Sequence, residues 1–136
     1  MKLGTRPAEP QDSDLVFRVR RSGIKPYLEQ VQVWDEVQQR EVHDRRFASR
    51  TYLIITLDGT DVGYTSFEIG PGELTLYQIY IDAPHRSRGI GRWCLEGLCA
   101  EASGRGLPIR LHVLKVNARA REFYLSLGFG VAAEGQ

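Results

Sequence analysis

The clearest pattern along the chain is a two-residue alternation of apolar and polar positions from Thr51 to Ile81, interrupted twice by turn residues. TYLIITL at 51–57 is rich in β-branched and aromatic residues, Asp58-Gly59 is a hairpin signal, and 61–69 supplies the return strand. Gly70, Pro71 and Gly72 turn the chain into a longer run, Glu73 to Ile81. Strict alternation there puts Leu74, Leu76, Gln78 and Tyr80 on one side and Thr75, Tyr77, Ile79 and Ile81 on the other. Consecutive short connections of this kind predict an antiparallel meander.

Downstream the period lengthens. Ile90, Trp93, Cys94, Leu98 and Ala102 mark one face of a helix that Gly104 and Gly106 end. PIRLHVLKV, from Pro108 to Val116, reads as a strand, and Asn117 to Leu127 as a helix with Ala120, Phe123, Tyr124 and Leu127 on one stripe and Gly128 just beyond its end. The strand, helix, strand order implies a right-handed crossover and a locally parallel pair. Phe129 to Glu134 is predicted as one last strand.

Upstream the signals are weaker. Residues 1–14 hold Pro7 and Pro10 among polar residues and read as a flexible leader, leaving 15–136 as the folded domain. Leu15 to Arg20, LVFRVR, alternates as a half-buried first strand. From Lys25, with Pro26 in a first turn, Tyr27, Leu28, Val31 and Trp34 recur at helical spacing. Asp35 is placed to cap a second helix, paired with Gln38 in a capping box, whose charged run reads as a solvated face. The fold class is therefore α/β: a single domain with a mixed, mostly antiparallel sheet flanked by helices.

Composition narrows the function classes. At 136 residues with 42% hydrophobic and 26% charged residues, the chain suits one globular domain, and a formal charge of +1 implies no bulk attraction to nucleic acid or membrane. The scattered histidines His43, His85 and His112 and the lone pair Cys94 and Cys99 match no metal motif, so no metal is expected. The cysteines read as small core residues. Without an apolar run of membrane length or a secretory leader, the chain is expected to be cytoplasmic.

The chemistry concentrates at Ile79–Gly91, IYIDAPHRSRGIG, where a strand ends at a proline and a basic, glycine-punctuated turn opens a helix. Glycines admit close backbone approach, and a helix N-terminus offers unpaired N–H groups at the positive end of its dipole, so phosphate oxygens fit there. Taken alone, such a turn can equally be a tight connection. Arg86, Gly89 and Gly91 form R-x-x-G-x-G, and N117-x-x-A120-x-x-F123-Y124-x-x-x-G128-F129 follows one helix and one strand later. Together, in this order, the two motifs resemble those of the GNAT family of N-acetyltransferases, over nearly the whole chain from about Leu15.

That resemblance implies acetyl-coenzyme A as co-substrate and direct transfer of acetyl to a primary amine on a small molecule or peptide, without a covalent acyl-enzyme. It implies main-chain contacts to pantetheine from Ile79, Tyr80 and Ile81, pyrophosphate contacts from Arg86, Ser87, Arg88, Gly89, Ile90, Gly91 and Arg92, and a further contact from Asn117. Tyr124 would be the general acid for the departing thiolate. As residues alone, the arginines can be solvated, Asn117 a helix cap and Tyr124 a core tyrosine. Some members carry a glutamate where this chain has Thr75, so Glu73 and Glu68 become the candidate bases. Trp34, Asp35 and Glu36 resemble a segment over the acceptor pocket in a bacterial branch, where an acidic pair would attract a cationic amine. The missing glutamate leaves open a domain that binds acetyl-coenzyme A with little or no turnover. Family members usually continue into a further antiparallel strand after the position of Phe129–Glu134, whereas two residues remain here; an exposed edge of that kind favours a homodimer.

Overall fold

The computed structural model describes residues 2–113 and 117–130 of the chain. The strands β1 (Leu3–Pro7), β2 (Thr51–Leu57), β3 (Thr60–Ile69), β4 (Leu74–Ile81) and β5 (Ile109–Leu111) lie in the sheet in sequence order. Helices α1 (Ser13–Leu28), α2 (Glu36–Ser49), α3 (Ile90–Gly104) and α4 (Ala118–Ser126) flank it. β1 to β4 pair antiparallel and β4 pairs parallel with β5, so the meander and the crossover both stand as expected.

The amino-terminal third differs from the sequence reading. Residues 1–14, expected as a loose leader, carry β1, whose Leu3 to Pro7 pair in register with Leu57 to Leu53, and a 3₁₀ turn at Pro10–Asp12. Arg6 anchors this segment by donating to Asp12 at 2.8 Å and Asp61 at 2.9 Å. Leu15–Arg20, read as a strand, lies in α1. Its buried residues Val16, Val19, Ile24 and Leu28 follow three- to five-residue steps, a helical stripe that six residues of alternation conceal. Pro26 accordingly sits in the last turn of α1, not the first turn of a helix, and Val31 is exposed beyond its end. Asp35 caps α2 as expected, its carboxylate accepting from the Gln38 N–H at 3.1 Å.

Each sheet face has its own core. On one, Ile55, Val62, Leu74 and Leu76 pack with Ile90, Cys94, Leu95, Leu98 and Ala102, the last five all from α3. On the other, Tyr52, Ile54 and Tyr64 pack with Val16 and Val19 of α1, and Phe47 and Tyr80 flank them. Burial of the Cys94 thiol pushes its pKa up to about 11, as befits a core residue.

One irregularity matters most for function. Ser66 pairs with Gln78 but Phe67 pairs with Leu76, which leaves Tyr77 without a partner in the register. This β-bulge reverses the side-chain phase of β4. Leu74, Leu76, Ile79 and Ile81 therefore all serve the α3 face, while Tyr80 serves the α1 face, so the continuous alternation expected from Glu73 to Ile81 does not hold. Residues 131–134 of the expected last strand, and 114–116 of the expected strand before α4, lie outside the described residues.

Candidate functional site

Among the described residues the bulge lies beside the end of the β4–β5 ladder. β4 and β5 pair from Leu74↔Ile109 to Leu76↔Leu111, and their ladder stops at Tyr77. Beyond it the Asp82 N–H donates to the Val62 carbonyl at 2.8 Å. Alternate residues of an antiparallel strand bond to opposite sides, so the main-chain N–H and C=O groups of Ile79 and Ile81 face away from β3. Two clefts open there. One, of about 590 Å³, runs along Ile79–Ile81 to the start of α3; the other, of about 750 Å³, reaches between β4 and the first two helices. Ile79, Tyr80, Asn117, Ala120 and Tyr124 line both.

At the floor of the first cleft the loop before α3 is shaped by two left-handed residues, Ser87 at φ 64° and Gly89 at φ 79°. Alternating left- and right-handed residues turn successive N–H groups to one side, and Gly89 is also the N-cap of α3, so its dipole adds to the same field. No Cβ contact lies within 4 Å of Gly89; its glycine is needed for the backbone angle, not for space. The residues thus suit an anionic, phosphate-bearing ligand with an extended arm. Among the described residues, no group of three or more His, Cys, Asp or Glu is placed to hold a metal.

The positions of the expected cofactor residues can be stated individually. Ile79, Tyr80, Ile81, Arg86, Ser87, Gly89, Ile90, Gly91, Arg92 and Asn117 all line the first cleft, whereas Arg88 is exposed outside its lining. Arg86 is partly committed: its Nε donates to the Ile81 carbonyl at 2.9 Å and one Nη to Ser22 Oγ at 2.8 Å, tying loop, strand end and α1 together. Asn117 caps α4 through the Ala120 N–H at 3.1 Å and is buried at the junction of the clefts. Arg119, which the sequence reading passed over, also lines this cleft, one Nη lying 3.5 Å from Ser87 Oγ. Ser22, Gly23, Pro26 and Tyr27 form its α1 wall and were missed because that segment was divided between a strand and a separate helix.

Tyr124 stands at the junction. The Schellman-type end of α4, with the Gly128 N–H on Leu125 O and the Phe129 N–H on Tyr124 O, holds its backbone, and Phe123 and Phe129 meet its ring edge-on at 5.1 and 6.0 Å. Burial chiefly, with Tyr80 and Cys94 nearby, raises its pKa well above an ordinary tyrosine, so the hydroxyl keeps its proton at neutral pH.

The residues expected at the acceptor lie outside both clefts. Glu73 lines neither cleft and pairs with Arg110 at 3.2 Å; Glu68 is exposed and accepts from the Tyr77 hydroxyl at 3.1 Å. Trp34, Asp35 and Glu36 also line neither cleft. Glu36 takes the Trp34 indole N–H at 2.6 Å and Arg21 at 2.5 Å, while Asp35 is occupied as a cap. The lining comes instead from Arg20 and Ile24 of α1, Gln39, Val42 and Arg46 of α2, and Arg50 just after it.

Comparison with known proteins bears on this arrangement. The model of the acetyltransferase (GNAT) family matches residues 20–129. The ribosomal protein bS18-alanine N-acetyltransferase of Salmonella typhimurium is 36% identical over 81 residues, 59% of this chain and 55% of that protein. The chain thus spans about half the length of the curated relatives it matches. Among solved structures, the PaiA N-acetyltransferase of Thermoplasma acidophilum in complex with coenzyme A superposes with a TM-score of 0.77 at 18% identity, covering 96% of this chain and 91% of that one. The ribosomal-protein-alanine N-acetyltransferase of Brucella melitensis gives 0.75 at 16% identity, covering 99% and 97%. At these identities the superpositions speak to the fold alone.

Proposed function

The chain belongs to the acetyltransferase (GNAT) family, and from that premise we propose that it transfers an acetyl group from acetyl-coenzyme A to a primary amine, with both substrates bound at once. The observation that carries the reading is the junction itself. The outward-facing main chain of Ile79 and the side chain of Tyr124 line two clefts at once, one suited to a phosphorylated donor and the other to an acceptor. The curated relatives named as alanine N-acetyltransferases support an amine as the acceptor.

Acetyl-coenzyme A supplies the acetyl group as a thioester. The outward main-chain groups of Ile79 and the Ile81 N–H bind its extended arm as a neighbouring strand would, and an N–H from this edge serves the thioester oxygen, where charge develops during attack. N–H groups from Ser87 to Arg92 and the α3 dipole hold the pyrophosphate, with Arg86, Arg92 and Arg119 supplying charge. Tyr124, protonated at neutral pH, gives its proton to the sulfur as the thiol leaves and regains one from water. The proton lost by the amine passes to water in the acceptor cleft, since Glu68 and Glu73 lie outside it.

The test is thiol release over a panel of amines, beside direct coenzyme-A binding. Changing Tyr124 to Phe is expected to lower kcat by about a hundredfold or more while coenzyme A still binds. Unchanged turnover would remove Tyr124 as the proton donor. Coenzyme-A binding with no thiol release from any amine would instead favour a domain that binds the donor without turnover.

A further inference from the structure

The lining of the acceptor cleft carries an imbalance of charge. Arg20, Arg46 and Arg50 face it together with His112, and no Asp or Glu is among its described lining residues. Several other arginines of the same helices are neutralised: Arg18 by Asp82, Arg21 by Glu36, and Arg40 by Asp14 and Asp44. The three in the cleft have no carboxylate within ion-pair distance among the described residues. Arg20 spends one Nη on Gln39 at 2.9 Å and leaves a buried Nε without a partner. Arg50 places its guanidinium carbon over the Tyr77 ring, 3.7 Å from the centroid, a contact that holds the group without neutralising it.

Such a cluster is costly to the empty protein. Burial first, then Arg20 and Arg50, pull the Arg46 guanidinium below its ordinary pKa, the mark of mutual repulsion in a half-buried setting. Like charges gathered in one cleft are relieved by an anion, and planar guanidinium forks match the two oxygens of a carboxylate or the face of a phosphate.

Resting on the acetyl-transfer reading above, we propose that the acceptor is a small amine that itself bears an oxyanion, a carboxylate or phosphate, held by Arg20, Arg46 and Arg50 while its amino group points toward Tyr124. The cleft's volume of about 750 Å³ is that of a small-molecule site. This reverses the expectation of a cationic acceptor drawn to Asp35 and Glu36, whose charges lie elsewhere and are already engaged.

The experiment compares matched amines that differ only in their far end: ω-amino carboxylates, the corresponding aminoalkyl phosphates, their neutral amides and diamines of the same length. In the wild type the acidic acceptors should exceed the neutral amide in kcat/KM by roughly ten- to a hundredfold. In Arg46→Gln, and separately in Arg50→Gln, that ratio should fall toward one. The carboxylate and phosphate arms distinguish the two oxyanions, and either preference supports the proposal. Thermal shift with the same amines gives a second readout independent of turnover. If no amine is acetylated but acidic amines raise the Tm of the wild type and not of Arg46→Gln, the anion site stands and the catalytic reading fails. If diamines or neutral amides are acetylated as well as or better than the acidic acceptors, transfer stands and the anion site is overturned.

Discussion

A Cβ placed on Gly23 of α1 would lie 2.6 Å from Cδ1 of Tyr80 in β4. The helix therefore approaches the strand at its irregular half only because position 23 has no side chain, and Tyr80 is held between that helix and the ring of Tyr64, 5.9 Å away. Tyr80 lines both clefts. Gly23→Ala should push the ring rather than the backbone, costing about 1–3 kcal/mol of stability and raising KM for both substrates. Denaturant melts and steady-state kinetics would check it; a variant with wild-type stability and kinetics would show that the contact constrains nothing.

Gly63 meets a harder obstacle. A Cβ there would overlap the main-chain carbonyl of Tyr80 and come within 3.1 Å of the Ile81 Cα, opposite which Gly63 pairs. A carbonyl in a ladder cannot rotate aside as a ring can. Gly63→Ala should force β3 and β4 apart beside the Ile79–Ile81 edge, with a larger loss of stability than Gly23→Ala and a weaker hold on coenzyme A. The order of the two variants in a urea titration decides the point, and a milder effect at Gly63 would contradict it.

The difference between these two glycines also shows what a linear sequence can carry. The meander, α3 and the α4 cap were legible because each depends on neighbours in sequence: alternation with Asp58-Gly59 between, a glycine turn, Asn117 three residues before Ala120. LVFRVR was misread because Val16, Val19 and Ile24 satisfy a helical stripe only when the window extends past Gly23. The bulge at Tyr77 left no trace, since a phase reversal in a strand is set by its partner's register. The residues expected to hold the donor lie largely in one continuous stretch, where spacing displays them; the second cleft draws Arg20 from α1, Arg46 from α2 and Arg50 from just beyond it, a convergence no spacing rule records.

Asp12 ties the amino-terminal segment to the sheet. Its carboxylate accepts from both Nη atoms of Arg6 at 2.8 and 3.0 Å and from the Glu9 N–H at 2.8 Å, while Arg6 also reaches Asp61. The Arg6 bonds, and then that of Glu9, hold the Asp12 pKa below its ordinary value against the opposing effect of burial. Asp12→Ala leaves Arg6 with one acidic partner and should destabilise the fold by about 1–3 kcal/mol. Unchanged stability would mean that residues 3–12 add little to the domain, the situation expected of a loose leader.

His43 supplies the last prediction, because its titration can be separated from that of the carboxylates. The imidazole is buried between Phe17 and Phe47, with ring centroids at 5.4 and 5.6 Å, and its Nε2 lies 2.9 Å from Ser13 Oγ. Burial, and next the charge of Arg40, lower its pKa from the model-peptide value of 6.5. The unfolded chain therefore takes up a proton at a pH where the folded one refuses it. The stability associated with neutral His43 is fully present above about pH 6.5 and is lost as pH falls through the lower folded-state value. Melting temperature should decline as pH falls below about 6.5, above the range where Asp12 titrates. His43→Gln, which keeps a polar partner for Ser13 but cannot take up the proton, should flatten that part of the curve even if it melts lower overall. Parallel pH profiles for the two proteins would place the acid sensitivity elsewhere.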